Sequence, residues 1–393
     1  MRASARTFFE QYTRDLTPAD FQRLFTRDTP EAYRYFTRAI DVDKLALEPW
    51  YRRWPIQIRL VFTAFAMRLS PARRVLYAIA VVMSFLGILL LFRGIAPVKV
   101  LLFPFSVNVP LPQWADGTLW LIAGFVAINL LVLMEVADRL SLKGELEIAR
   151  DIQLAMLPGG IHTAGDAVVC GVTRPANTVG GDFYDILTLP DGRLVLALGD
   201  VAGKGSPAAL LMALLLAMLR TLVDEGLESA RLVARLNVQV ARHSPPSRFI
   251  TLFYGLYDPR DGSLQYVNAG HLPPLLRRRN GTVERVMGST GSGVALGMFD
   301  QATYDSRRVV IEPGDLLVLF SDGITEAENA SGRAFDETGL EAVIATHADH
   351  DPEAVGRAIL KAVETYTADA RLTDDLTALV LKRTGPAEDA KRL

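Results

Sequence analysis

Two long apolar runs restrict this chain more than any other feature. From Val75 to Phe92 eighteen consecutive residues carry no charge, and from Thr118 to Met134 another seventeen do the same. An apolar stretch near twenty residues long is the length a helix needs to cross the hydrocarbon core of a bilayer. Arg73, Arg74 and Arg93 flank the first run, and Trp114 and Trp120 stand at the start of the second, where interfacial tryptophans belong. The pattern predicts a two-helix transmembrane hairpin; a buried helical hairpin in a soluble domain is the alternative. Arg52, Arg53, Arg59, Arg68, Arg73 and Arg74 all precede the first run. Positive charge stays inside, so the expected topology has the N-terminus in the cytoplasm and the loop carrying Pro97, Pro104, Pro110 and Pro112 outside. Everything after Met134 then returns to the cytoplasm, placing the chain in the inner, cytoplasmic membrane.

The flanking segments read differently. Residues 1–70 mix aromatic and charged side chains, and Thr17-Pro18 and Thr29-Pro30 each precede an acidic residue, which marks helix starts. This predicts a small helical cytoplasmic segment ending in an interfacial helix, Ile56 to Leu69. It could pack, pair with itself, meet the membrane surface or bind a signal. The first residues lack the early apolar core of a secretory signal. After the spans (71–134), residues 135–160 predict a linker helix. Leu142, Leu146, Ala149 and Met156 repeat at near-heptad spacing with Gln153 where an apolar residue is due, a weak coiled-coil pattern that would allow a homodimer. Pro158-Gly159-Gly160 ends it.

From residue 161 to 384 the texture changes to short β-type runs punctuated by Gly, Asp and Pro, with four helical stretches among them. Strands grouped apart from helices predict an α+β domain of antiparallel sheets with helices outside. The apolar run Ala208 to Leu219 is too short to span and reads as a buried core helix. Residues 385–393 read as a polar tail. The net charge of −2 gives no basic excess for nucleic acid. The lone Cys170, in an apolar run, excludes an intrachain disulfide and reads as a core thiol.

Acidic residues recur at the ends of these strands. Asp182 follows Gly180-Gly181; Asp200 follows the run Leu194 to Leu198; Asp322 follows Leu316 to Ser321; Asp374 and Asp375 precede Leu376 to Leu381. One Asp-Gly at a strand end is an ordinary turn. Four such sites converging at one end of the sheets would form an all-oxygen donor set, which selects Mg²⁺ or Mn²⁺ over zinc. Two such ions would activate a water toward phosphorus.

Five motifs then resemble those of bacterial metal-dependent protein phosphatases of the PPM (type 2C) superfamily, in the SpoIIE/RsbU-like branch. They are Val179-Gly180-Gly181-Asp182-Phe183-Tyr184-Asp185, Gly199-Asp200-Val201-Ala202-Gly203-Lys204-Gly205, Asn268-Ala269-Gly270-His271, Ser321-Asp322-Gly323-Ile324-Thr325-Glu326 and Thr373-Asp374-Asp375-Leu376-Thr377. The resemblance covers residues 145–383. It implies an antiparallel β-sandwich flanked by helices and a dinuclear Mn²⁺/Mg²⁺ centre hydrolysing phosphoserine or phosphothreonine on a protein, an anti-sigma-factor antagonist or similar regulator. By resemblance Asp200 would bridge the ions with the Val201 carbonyl, Asp182 would bind one ion, and Asp322 and Asp374 the other. Asp375 would be an outer partner or a weaker ligand, His271 could donate a proton or hold a loop, and Asn268 would stand outside the ligands. The phosphate-binding arginine of the eukaryotic enzymes is replaced by Thr178; Arg174 and Lys204 are the basic residues that could meet phosphate. His347 and His350 read as surface residues and Glu326 as an outer or surface residue. Two other readings compete: a catalytically weak membrane-bound scaffold with this fold, and a diguanylate cyclase suggested by Gly180-Gly181-Asp182-Phe183.

Overall fold

The structure, a computed structural model, describes residues 62–63, 65–67, 69–93, 95–102, 105–112, 115–245, 248–286, 293–368 and 372–385. The readings made for residues 1–61 and for the tail after 385 lie outside the described residues. The chain divides into two compact units, Met1–Leu140 and Ser141–Leu393.

In the first unit, helix α1 spans Pro71–Arg93 and helix α2 begins at Ala115. Both are long and apolar enough to cross a membrane, with mean hydropathy 2.3 in their best windows. Twenty-three residues of α1 give a rod of about 35 Å, enough for the hydrocarbon core. The two helices approach closely at Gly87, where a Cβ would lie 2.8 Å from the Leu121 amide nitrogen. Small residues at such contacts are how helices pack where no hydrophobic effect separates lipid from leucine. Arg73 Nη1 reaches Asp138 Oδ2 at 2.7 Å and Glu135 Oε2 at 3.4 Å.

Two boundaries differ from expectation. The proline-bearing loop is an antiparallel ribbon, β1 (Ile95–Leu102) against β2 (Phe105–Pro112), with Pro97 opposite Pro110. A two-stranded ribbon consists only of edges, so a proline can turn its missing N–H outward without breaking the ladder. The second span and the linker are one helix, α2 (Ala115–Met156), because no proline interrupts the 42 residues between them.

The second unit is a sandwich of two antiparallel sheets. Its strands are β3 (Ile161–Ala164), β4 (Ala167–Arg174), β5 (Phe183–Thr188), β6 (Leu194–Val201), β7 (Ile250–Asp258), β8 (Ser263–Ala269), β9 (Leu275–Arg277), β10 (Val283–Arg285), β11 (Arg307–Val310), β12 (Leu316–Phe320) and β13 (Leu376–Arg383). One sheet runs β10-β9-β12-β13-β4-β3, the other β11-β8-β7-β6-β5. Helices α3 (Ser206–Asp224) and α4 (Ser229–His243) follow β6; α5 (Asp322–Thr325), α6 (Asp336–His347) and α7 (Pro352–Thr367) lie between β12 and β13 in sequence.

The central strands are apolar without alternation because both of their faces are covered. In β6, Leu194, Leu196 and Leu198 point into the core between the sheets, and Val195 and Ala197 pack beneath α3 and α4. In β12, Leu317 and Leu319 face the opposite sheet, while Leu316, Val318 and Phe320 pack with Leu340, Ile344, Val355 and Ile359 of α6 and α7. Side chains alternate with period 2, so one strand supplies two cores. Helix α3 passes a length-and-composition test for a span, yet half of that window is buried within the unit. Leu211, Met212, Leu215, Leu216 and Leu219 pack on the sheet, as expected of a core helix.

The end of α2 is fastened to this unit. Arg220 of α3 donates to Asp185 Oδ2 at 2.8 Å and Oδ1 at 3.1 Å, and to the Met156 carbonyl at 2.7 Å. Asp185 is fully buried, so its charge depends on that guanidinium. Replacing Arg220 by Ala is expected to cost about 3–5 kcal/mol, the penalty for an abandoned buried charge. A thermal midpoint equal to that of the unchanged protein would contradict this.

Candidate metal centre

β5 starts where the antiparallel β6 ends, and β13 starts where β12 ends. Each sheet therefore presents two acidic turns at one edge of the sandwich. Asp182 lies just before β5, Asp200 is the last residue but one of β6, Asp322 is the first residue of α5, and Asp374 and Asp375 lie just before β13.

Asp375 sews the two sheets together. Its Oδ1 accepts from the Ala176 amide at 2.8 Å, and its Oδ2 accepts from Gly181 at 2.7 Å and from Asp182 at 3.4 Å. Both oxygens are committed to backbone, which suits an outer support rather than an ion ligand. Ser321 Oγ donates to the Asp375 carbonyl at 3.1 Å and accepts from the Thr377 amide at 3.1 Å. These bonds fix the turn holding Asp322 against the turn holding Asp374.

Gly181 is glycine for want of room. A Cβ there would sit 2.9 Å from both Asp200 Oδ1 and the Val201 carbonyl oxygen. The bare backbone lets Asp182, Asp200 and the Val201 carbonyl share one small volume.

The electrostatics show how tightly the acids crowd. Burial, with Asp200 and Asp375 nearby, pushes the Asp182 carboxyl well above the usual range; the Ser321 and Thr377 hydroxyls oppose it. Burial, then the charges of Asp322, Asp374 and Asp375, raises Asp200 to about 7. Asp322 is raised by burial, Asp374 and Glu326. Asp182 is 4% exposed, and its Oδ2 has no hydrogen-bond partner. An unpaired buried carboxylate oxygen is costly unless a cation compensates it.

The acids form an open array: among the described residues, no three His, Cys, Asp or Glu side chains close into a cage as they stand. Their oxygen-only chemistry, the orphaned Asp182 oxygen and the gap left by Gly181 nevertheless fit a hard divalent cation. Lys204, in the turn before α3, puts its ammonium 2.9 Å from Asp374 Oδ2 and also donates to the Thr373 carbonyl. Arg248 is a second basic residue at this edge, donating to the Ala202 carbonyl at 3.0 Å. Arg174, at the end of β4 opposite Leu376, is instead paired with Glu364 of α7.

His271 supports the site from inside. Its Nε2 lies 3.2 Å from the Phe320 carbonyl, which can only accept, so Nε2 carries the proton. Nδ1 then accepts from Thr251 Oγ1 at 2.9 Å, and that oxygen accepts from the Asp200 amide at 3.2 Å. Burial lowers the imidazole to about 4, partly opposed by the Phe320 carbonyl, so it stays neutral. This imidazole ties the end of β12 to Thr251 of β7 and, through it, to the end of β6. Asn268 closes the turn, donating to the His271 carbonyl at 3.0 Å and accepting from its amide at 2.8 Å. His347 and His350 bond only to backbone carbonyls of α6 and its end, away from these acids.

Gln153 is the residue whose role the sequence did not disclose. Its side chain donates to the Gly180 carbonyl at 2.7 Å and accepts from the Gly180 amide at 3.1 Å. The end of α2 thereby grips the turn that carries Asp182. The signal was the polar residue standing where the heptad pattern called for an apolar one. Met156, read as part of the same seam, packs instead against the core under α3.

Comparison with known proteins agrees with this architecture. Residues 190–384 match the family model described as Stage II sporulation protein E (SpoIIE). Protein IcfG of Synechocystis sp. is 29% identical over 240 residues, 54% of this chain and 37% of that one. Phosphoserine phosphatase RsbU of Bacillus subtilis is 28% identical over 242 residues, 62% of this chain and 71% of that one. The chain thus spans little more than a third of the first relative's length. Among solved structures, the SiaA-PP2C domain of Pseudomonas aeruginosa superimposes with a TM-score of 0.54 at 21% identity, covering 63% of this chain and 98% of that one. The fold is that of PP2C phosphatases, and residues 190–384 carry the match to the SpoIIE family.

Proposed function

We propose that this protein is a membrane-anchored, metal-dependent protein serine/threonine phosphatase. The observation that carries the reading is the buried, partnerless Asp182 oxygen amid converging carboxylates in a SpoIIE-family domain. Asp182, Asp200 and the Val201 carbonyl would hold one ion, and Asp322 and Asp374 a second, with Asp200 shared. When bound, two Mn²⁺ or Mg²⁺ ions supply Lewis acidity that activates water and offsets phosphoryl charge. The protein's own part is positioning: Asp375 and Gln153 fix the Asp182 turn, and His271 and Thr251 fix the Asp200 strand end.

The substrate in this reading is phosphoserine or phosphothreonine on a regulatory protein of the anti-sigma-factor-antagonist kind. The two helices of the first unit anchor the chain in the inner membrane with the phosphatase domain in the cytoplasm, as the arginines before α1 favour. The exposed Leu142, Ile148 and Ile152 of α2 support a homodimer through this helix.

The test is phosphate release by the full chain in detergent micelles. Hydrolysis of a phosphoserine protein is expected with Mn²⁺ or Mg²⁺, to fall to the buffer rate with chelator, and to return on adding metal back. Absence of turnover of any phosphoprotein or aryl phosphate under those conditions would favour the scaffold reading.

A further inference from the structure

Beside Asp374 the site opens into a half-enclosed cleft of about 140 Å³, lined by Ala327, Glu328, Leu372, Thr373 and Asp374 among others. Its volume is well under the roughly 300 Å³ of a small-molecule pocket and matches the scale of one side chain. Ala327 and Leu372 give it apolar wall. Glu328 is exposed and has no cationic partner among the described residues. The wall is already formed: Glu328 bridges Ala334 across a hairpin that Asn329 Oδ1 closes by accepting from the Ser331 amide at 2.9 Å and the Arg333 amide at 3.1 Å.

We propose that this cleft receives a lysine or arginine side chain that flanks the phosphorylated residue of the protein substrate. The inference rests on the phosphatase reading and adds a specificity determinant to it. An aliphatic stem suits the apolar wall, and a cationic head suits the Glu328 carboxylate at the rim. An acidic side chain would meet Glu328 as a like charge, whereas Asp374 is already paired with Lys204. A purely apolar one would cover Glu328 without compensating it. The cleft shares Asp374 with the metal centre, and an extended peptide advances about 3.3 Å per residue. A residue one or two positions from a phosphoserine seated at the acids is therefore within reach of it.

The experiment compares two phosphoserine peptides, identical except for Lys or Glu beside the phosphoserine, on the full chain in micelles with Mn²⁺. The unchanged protein is expected to prefer the Lys peptide by about tenfold in kcat/KM, carried by KM, the sum of one gained and one avoided charge contact. Glu328→Gln should cut the preference to about threefold, and Glu328→Lys should abolish or invert it. Because the readout is a ratio within each variant, a general loss of activity cancels. The same ratio in all three proteins overturns the cleft assignment alone, provided p-nitrophenyl phosphate is turned over by the unchanged protein. Failure to turn over p-nitrophenyl phosphate as well overturns the phosphatase reading with it.

Discussion

Asp200→Asn is expected to lower Mn²⁺-dependent phosphoserine hydrolysis by about a thousandfold, the upper range for loss of one preorganised electrostatic element. The residue is the meeting point of the array: its carboxyl feels Asp322, Asp374 and Asp375, and its Oδ1 shares the space beside Gly181 with the Val201 carbonyl. An amide there keeps the shape and one lone-pair oxygen but removes the charge both ions would share. The same change should stabilise the metal-free protein by about 1–3 kcal/mol above pH 7, because a buried carboxylate no longer ionises against its neighbours. The sign follows from the folded value near 7, above the ordinary one. Such a group destabilises as pH rises from its unfolded value through 7, and that loss is complete above it. Mn²⁺ should raise the thermal midpoint of the unchanged protein and leave that of Asp200→Asn in place, since only a ligand bound to the folded state shifts unfolding. Two observations would reverse the assignment: undiminished turnover, or an equal metal-induced shift in both proteins.

The sequence exposed the acids because each stands where an apolar strand starts or stops, a place where an Asp has little reason to be unless a turn or an ion requires it. It exposed the sheets for the complementary reason: strands covered on both faces, such as β6 and β12, read as unbroken apolar runs. What it concealed depended on partners far apart in the chain. His271 reads as a turn residue until Phe320 and Thr251 are found on its two nitrogens, 49 and 20 residues away. Asp185 looks like any strand polar until Arg220 appears beside it. Short elements such as β3 and α5 carry too few residues to show a period. The ribbon β1–β2 was masked by prolines that normally argue against strands. Its two edge strands tolerate them.

Gln153 carries the second large expectation. Replacing it by Leu should weaken Mn²⁺ binding or turnover by about 10- to 100-fold, the usual cost of losing a group that orients a ligand from behind. A leucine keeps the helix and the bulk but leaves the Gly180 N–H and C=O without the partners they have now. The Gly180-Gly181-Asp182 turn would then keep its backbone bonds to Asp375 and lose those to α2. Gln153→Glu separates the two bonds: its carboxylate still accepts from the Gly180 amide but cannot donate to the carbonyl, so an intermediate loss is expected. The defect should appear as a higher Mn²⁺ requirement, rescued in part at saturating metal, whereas damage to folding would lower the thermal midpoint and resist metal. If Gln153→Leu leaves both metal requirement and turnover unchanged, α2 is only a tether. If the loss appears, any movement of α2 that withdraws Gln153 from Gly180 must also loosen Asp182, and the helix that joins the two units becomes a lever on the metal centre.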